Sequence, residues 1–138
     1  MAEGARVGGV VMFVQDLDRS VNFYTDVLVL GVADRSPTAA LLSNAGSASL
    51  ILRAMGHQAP HPLGSVGVQY VVWTAAGEED LARAEGVLAA RDAHHETRSH
   101  EGVRLVEGRD PDGIPVLICY PGPDQRPVHD LPARIYGW

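Results

Sequence analysis

Gly9-Val10-Val11-Met12-Phe13-Val14-Gln15-Asp16-Leu17-Asp18-Arg19-Ser20-Val21-Asn22-Phe23-Tyr24 decides how this chain folds. The stretch Val7 to Val14 is apolar and rich in β-branched residues, as in a strand covered on both faces. On a period of two, Gly9, Val11 and Phe13 share one face and Val10, Met12 and Val14 the other. Asp16 or Asp18 is placed to cap a following helix. In that helix Val21, Tyr24 and Leu28, with Val27 beside them, form an apolar stripe.

A second copy begins at Gln69-Tyr70-Val71-Val72-Trp73. Gly9 and Gln69, Phe13 and Trp73, and Leu28 and Leu88 all stand 60 positions apart (69 less 9). Around these copies the chain predicts strands at 38–43 and 48–53, with Asn44-Ala45-Gly46-Ser47 as the turn between them. Gly31 ends the first helix or opens the next strand. The second half predicts a strand at 66–74, then a helix opened by Glu78-Glu79-Asp80, where the macrodipole favours acids. Leu81, Ala84, Val87 and Leu88 are its apolar stripe. Strands follow at 93–99, 103–107 and 114–120, the last after the Arg109-Asp110-Pro111-Asp112-Gly113 turn. Each half therefore reads βαβββ. The expectation is one α+β domain over 1–138: two tandem βαβββ modules, at about 6–54 and 66–121, forming a curved mixed sheet around a cleft. Gly56, Pro60, Pro62 and Gly64 mark 55–65 as a linker. The tail at 122–138, through Ile135, Tyr136 and Trp138, is expected to pack over the domain or a partner.

A net charge of −6 argues against nucleic acid and acidic membranes as partners, because both want clustered cations. No apolar run approaches the roughly 18 residues of a membrane span, and Met1 to Arg6 does not open a signal peptide. A single cysteine, Cys119, permits no intrachain disulfide and fits a reducing compartment. A cytoplasmic protein is the expectation.

Val14-Gln15-Asp16-Leu17-Asp18-Arg19-Ser20 with Phe23-Tyr24, and the turn Asp110-Pro111-Asp112-Gly113, resemble the vicinal oxygen chelate superfamily over about residues 6–121. That family contains glyoxalases, extradiol dioxygenases, fosfomycin-inactivating transferases and bleomycin-binding resistance proteins. In its metal-using members, four side chains from the first and last strands of the two halves converge on a divalent ion. The resemblance puts those positions at Gly9, Ile51, Gln69 and Leu117, which together offer one neutral amide oxygen. Zinc and similar ions want several imidazole, thiolate or carboxylate ligands. A shift of one residue brings in Val10, Leu50, Tyr70, Val116 or Ile118, none of which is a carboxylate or imidazole. No metal and no cofactor is expected.

The strand parity puts Val11, Phe13 and Arg53 into the cleft from one half, and Gln69, Trp73, Leu117 and Cys119 from the other. Such a site is mostly apolar, with two aromatic rings, and suits a hydrophobic or flat ligand. Each residue also has a plainer role. Phe13 and Trp73 could be core, Gln69 could satisfy backbone, and Arg53 could be a solvated charge. Arg104 could meet an anionic group or lie exposed. Cys119 reads as a small buried hydrophobe with no base to activate it. Among the histidines, His57 and His61 flank a proline and form no helical pair. His94 and His95 point to opposite faces if extended. His95, His100 and Glu107 are candidates for a general base.

The leading expectation is a protein that sequesters an apolar or aromatic small molecule, as bleomycin-type resistance proteins do, and forms a homodimer as the family resemblance implies. The alternative is an enzyme of the same fold, a lyase, isomerase or dioxygenase type with a non-standard or absent metal site. A protein-interaction module that kept only the fold would show a closed or filled cleft.

Overall fold

The computed structural model describes residues 4–45, 48–57 and 66–126. The chain divides into two compact units, Met1–Ala59 and Pro60–Trp138. Most of the expected linker, and Ile135, Tyr136 and Trp138, lie outside the described residues.

The first unit runs β1 (Gly9–Val14), α1 (Leu17–Leu28), β2 (Gly31–Arg35), β3 (Ala39–Ser43) and β4 (Ser49–Ala54). Its sheet has the order β1-β4-β3-β2. β1 and β4 are parallel, with α1 in the connection between them, and the other neighbours are antiparallel. Asp16 has extended backbone and its carboxylate accepts the Arg19 N–H at 3.0 Å, which satisfies an otherwise orphan donor of α1. Val29, in the left-handed conformation at φ 55°, stops the helix. Leu17, Ser20, Val21, Phe23, Tyr24 and Val27 are its buried face. The rings of Phe23 and Tyr24 meet edge-on at 5.1 Å. This face packs on β3 and β4, where Ala40, Leu42, Leu50 and Leu52 are buried. Asp16→Ala is expected to cost about 1 kcal/mol of unfolding free energy while Asp16→Asn costs little; denaturant titration of both variants checks this.

β1 is not covered on both faces as its composition predicts. Val14 is buried, but Val11 and Phe13 are 56% and 63% exposed. α1 covers one face of the sheet and leaves the Val11–Phe13 face open.

The second unit repeats the plan with β5 (Val71–Thr74), α2 (Glu78–Ala90), β6 (His94–His100), β7 (Val103–Arg109) and β8 (Pro115–Tyr120). The sheet order is β5-β8-β7-β6, with β5 and β8 parallel. β5 is shorter than the expected 66–74. Gly67 sits at φ 134°, and the Gln69 amide donates to the Gly67 carbonyl at 3.0 Å, so the chain before β5 satisfies itself locally. α2 has glycine at its N-cap and three acids in its first turn; Asp80 Oδ2 accepts the Ala76 N–H at 3.0 Å. The Asp110 turn is held from within. Its Oδ1 accepts the N–H groups of Asp112 (2.8 Å) and Ile114 (2.9 Å), and Gly113 takes the positive φ of 83°.

The face α2 covers is fixed by two observations. A Cβ on Gly108 would lie 2.8 Å from Leu88 Cδ2, and Thr97 Oγ1 donates to Glu85 of α2. Gly108 is paired with Val116, and Thr97 with Val106. Val106, Gly108, Val116 and Ile118 therefore face the helix, while Leu105, Glu107, Leu117 and Cys119 face the other way.

This register corrects the internal alignment by one residue. Val11 is paired with Ile51 and Val72 with Leu117, so Val11 corresponds to Val72, 61 positions on (72 less 11). The helices agree. Buried Ser20, Phe23 and Val27 match buried Leu81, Ala84 and Leu88 at the same spacing, whereas Leu28 is only half-buried.

Candidate functional site

The face of the first sheet opposite α1 carries two rows of side chains. Val11, Ile51 and Leu41 form one; Phe13, Arg53 and Ala39 form the next. The structure thus brings together three residues expected from sequence, Val11, Phe13 and Arg53. At their flank lies a depression of about 160 Å³ lined by Asp34, Ser36, Leu41 and Ile51 among others. An exposed phenyl ring beside aliphatic side chains and one guanidinium offers apolar contact area, ring stacking and a single anion contact.

The corresponding face of the second sheet is built differently. Val103, Leu105, Leu117 and Cys119 form a buried cluster against which Tyr70 and Val72 pack. Leu117 and Cys119 are together, as expected, but their neighbours are Tyr70, just before β5, and Val72 of β5 rather than Gln69 and Trp73. Trp73 is paired with Ile118 and so belongs to the face that α2 covers. Gln69 precedes β5 and turns its amide to its own loop. Arg104 stands opposite Ser99 and Tyr120, on the other face from Glu107, and is exposed. The parity assumed for this half fails because the one-residue shift exchanges the two faces of β5.

Leu117 and Cys119 are buried within the chain, so they contribute a floor beneath other groups rather than free contact surface. The cysteine thiol is pushed up to about 11 by burial, with the Asp124 carboxylate adding to the effect. Asp124 also accepts the Thr74 hydroxyl at 2.8 Å, which ties the segment after β8 to β5. A thiol so protonated and enclosed reacts slowly. We expect Cys119 to react with an aromatic disulfide reagent at pH 8 at least about 100-fold more slowly than it does in denaturant, checked by absorbance of the released thiolate.

Above that floor stands Glu107, one of the candidate bases read from the sequence. Glu107 is only 3% exposed. Its Oε2 accepts Arg109 Nη1 at 2.6 Å, and His95 Nε2 lies 3.8 Å from the same oxygen. Tyr70 is raised from its ordinary value, first by burial, then by the Glu107 charge, with Arg98 opposing. Arg98 is paired with Leu105 and shares the Glu107 face. Tyr70, Arg98 and Arg109 were not among the sequence candidates. The available signal was the charge of Glu107 at the same parity as Val103 and Leu105 in an otherwise apolar strand. His94 points the opposite way, to Thr97 Oγ1 at 2.7 Å, so the two adjacent histidines do diverge.

A wider concavity of about 560 Å³ lies at the start of α2, walled by Glu78, Glu79, Asp80 and Tyr120. The helix dipole accounts for those acids.

With the register corrected, the positions of a fold-implied divalent ion are Gly9 and Ile51 in the first unit and Tyr70 and Leu117 in the second. They provide a single phenol, still protonated at neutral pH, and do not fit a divalent cation. Among the described residues, no three His, Cys, Asp or Glu side chains converge. No helix of the described residues is long and apolar enough to cross a membrane.

The βαβββ repeat, the Asp16-capped helix and the Asp110 turn have a family. The chain belongs to the Glyoxalase/Bleomycin resistance protein/Dioxygenase superfamily, whose model matches residues 6–118. Among solved structures, it is similar to a glyoxylase/bleomycin resistance protein/dioxygenase domain from Frankia sp. EAN1pec, at 24% identity and a TM-score of 0.74, covering 85% of this chain and 92% of that one. A lactoylglutathione lyase from Agrobacterium tumefaciens is similar at 20% identity and a TM-score of 0.65, covering 86% and 95%. The oxidase ChaP-H1 is similar at 21% identity and a TM-score of 0.65, covering 84% and 95%. These likenesses establish the fold. No curated protein matches the chain.

Proposed function

We propose that this protein binds an apolar or aromatic small molecule without a metal ion, and sequesters it. The observation that carries the reading is the exposed Val11–Phe13 row beside Ile51 and Arg53, on the open face of the first unit. A phenyl ring left in water on a sheet face is surface waiting for an apolar partner, because burying it is worth about 2 kcal/mol. The guanidinium next to it adds orientation for a ligand with an anionic or oxygenated edge. The unsuitable donors at Gly9, Ile51, Tyr70 and Leu117 support the metal-free part. Bleomycin resistance proteins in the same superfamily give the reading a precedent in kind. By the same family likeness, the working form is a homodimer; the lone cysteine, Cys119, fits a reducing cytoplasm.

Calorimetric titration of chelator-treated protein against a panel of aromatic natural products tests the reading. Saturable binding of at least one class, with a dissociation constant in the micromolar range or tighter, is expected. An absence of heat across flat, hydrophobic and oxygenated aromatics would count against it. An enzymatic reading is favoured by one separate observation, the Glu107 group of the second unit.

A further inference from the structure

We propose that the second unit binds a divalent cation of the zinc type where α2 crosses β6, through His94 Nε2, Glu85 Oε2 and the Thr97 hydroxyl. The site lies on the helix side of the sheet, on the opposite face from Glu107 and the Leu105–Leu117 floor. It is independent of ligand sequestration on the first unit.

Strand parity alone does not bring His94 and Thr97 together. They are three residues apart, so in a regular strand they point to opposite faces. The pairing of β6 with β7 slips between His94 and Glu96. The slip returns His94 to the face of Thr97, and His94 Nε2 lies 2.7 Å from Thr97 Oγ1. His95 goes the other way, to 3.8 Å from Glu107. Bulges recur where a strand re-aims one side chain at a site.

α2 supplies the third group. Gly108 pairs with His94, and a Cβ there would lie 2.8 Å from Leu88 of the helix. The helix thus comes close to the sheet at this point. Glu85 lies three residues before Leu88, nearly one turn, and so shares its side of α2. Glu85 Oε2 accepts the Thr97 proton and lies 3.9 Å from His94 Nε2. All three donor atoms are therefore held within 3.9 Å of one another. The side chains of His94 and Glu85 are 29% and 32% exposed, so packing orders them while solvent still reaches them.

One imidazole nitrogen, one carboxylate oxygen and one hydroxyl oxygen around a common point suit zinc, cobalt or nickel ions. Calcium and magnesium want an all-oxygen shell. Thr97 gives its only proton to Glu85, so without metal the His94 Nε2–H donates to the hydroxyl. On binding, the neutral imidazole carries its proton on Nδ1 and turns the Nε2 lone pair to the ion. The hydroxyl keeps its proton and offers a lone pair, and water completes the shell. Two strong ligands and a hydroxyl set the affinity in the micromolar range, well below that of a closed four-ligand site. A bound ion clips α2 to β6.

Calorimetric titration of zinc chloride into the chelator-stripped, desalted full chain tests this. Saturable binding of one ion per chain is expected, with no matching heat from calcium chloride. His94→Ala and Glu85→Gln are each expected to weaken zinc binding by about 100-fold, and Thr97→Val by about 10-fold. His95→Ala, at the adjacent histidine aimed at the other face, leaves it unchanged. Zinc is also expected to raise the denaturation midpoint of the unmodified chain and of His95→Ala, and not that of His94→Ala. Circular dichroism of each variant without metal separates a lost ligand from a lost fold. Absence of saturable zinc binding overturns the proposal. So does binding that survives both His94→Ala and Glu85→Gln, or binding that is lost with His95→Ala instead.

Discussion

Gly108→Val is expected to lower the stability of the second unit by about 3 kcal/mol, although valine is the better strand former. The first added carbon alone would lie 2.8 Å from both Leu88 Cδ2 and the Ala93 carbonyl oxygen. Neither can yield cheaply. Leu88 is the deepest residue of the α2 stripe and is fully buried. The Ala93 carbonyl accepts the Arg109 N–H at 2.9 Å, so moving it breaks the start of the β6–β7 ladder. Intrinsic propensity favours the substitution and close packing opposes it, which makes the sign informative. Chemical denaturation followed by circular dichroism checks it; an unchanged or higher midpoint would mean that α2 does not pack where the structure puts it.

Phe13→Ala is expected to do the reverse: leave stability within about 0.5 kcal/mol and weaken aromatic ligand binding by about 30-fold. The ring contributes little to the core, since 63% of Phe13 is exposed. Its value lies in what it covers when a ligand is present, and a buried phenyl contributes about 2 kcal/mol. The same denaturation assay and a calorimetric titration separate the two quantities. A large loss of stability with intact binding would assign Phe13 to the core instead.

The fold was legible because its local signals are redundant. Asp16 caps, Val21, Tyr24 and Val27 keep helical spacing, and Asp110 with Gly113 closes a turn by its own side chain. Each of these is decided within a few residues of sequence. β2 was the weakest element, since all five of its residues are exposed and no apolar alternation marks it.

Half of the site was legible for a related reason. In the first unit, buried Leu50 and Leu52 alternate with Ile51 and the exposed Arg53, so the open face of β4 can be read by parity. In the second, Val116, Leu117, Ile118 and Cys119 are all buried. A strand enclosed on both sides carries no alternation, and Val71 and Val72 beside it are equally apolar. Nothing in that stretch distinguishes an offset of 60 from one of 61. The shift moves Trp73 to the helix side, brings Tyr70 in, and leaves the conclusion about metal ligands unchanged. Glu107 was visible as a charge in an apolar strand, but its partners Arg109 and His95 come from the strand end and from across a bulge in β6. Only the register brings them together.

Ligand binding without a metal is the central claim. Its most direct measurement is a calorimetric titration of one aromatic ligand into protein stripped with chelator, repeated after addition of one equivalent of zinc, nickel, manganese or ferrous iron in turn. The expected result is the same affinity in every sample, within about twofold, and about 30-fold weaker binding by Phe13→Ala throughout. Binding that appears only in a metal-loaded sample would contradict the claim.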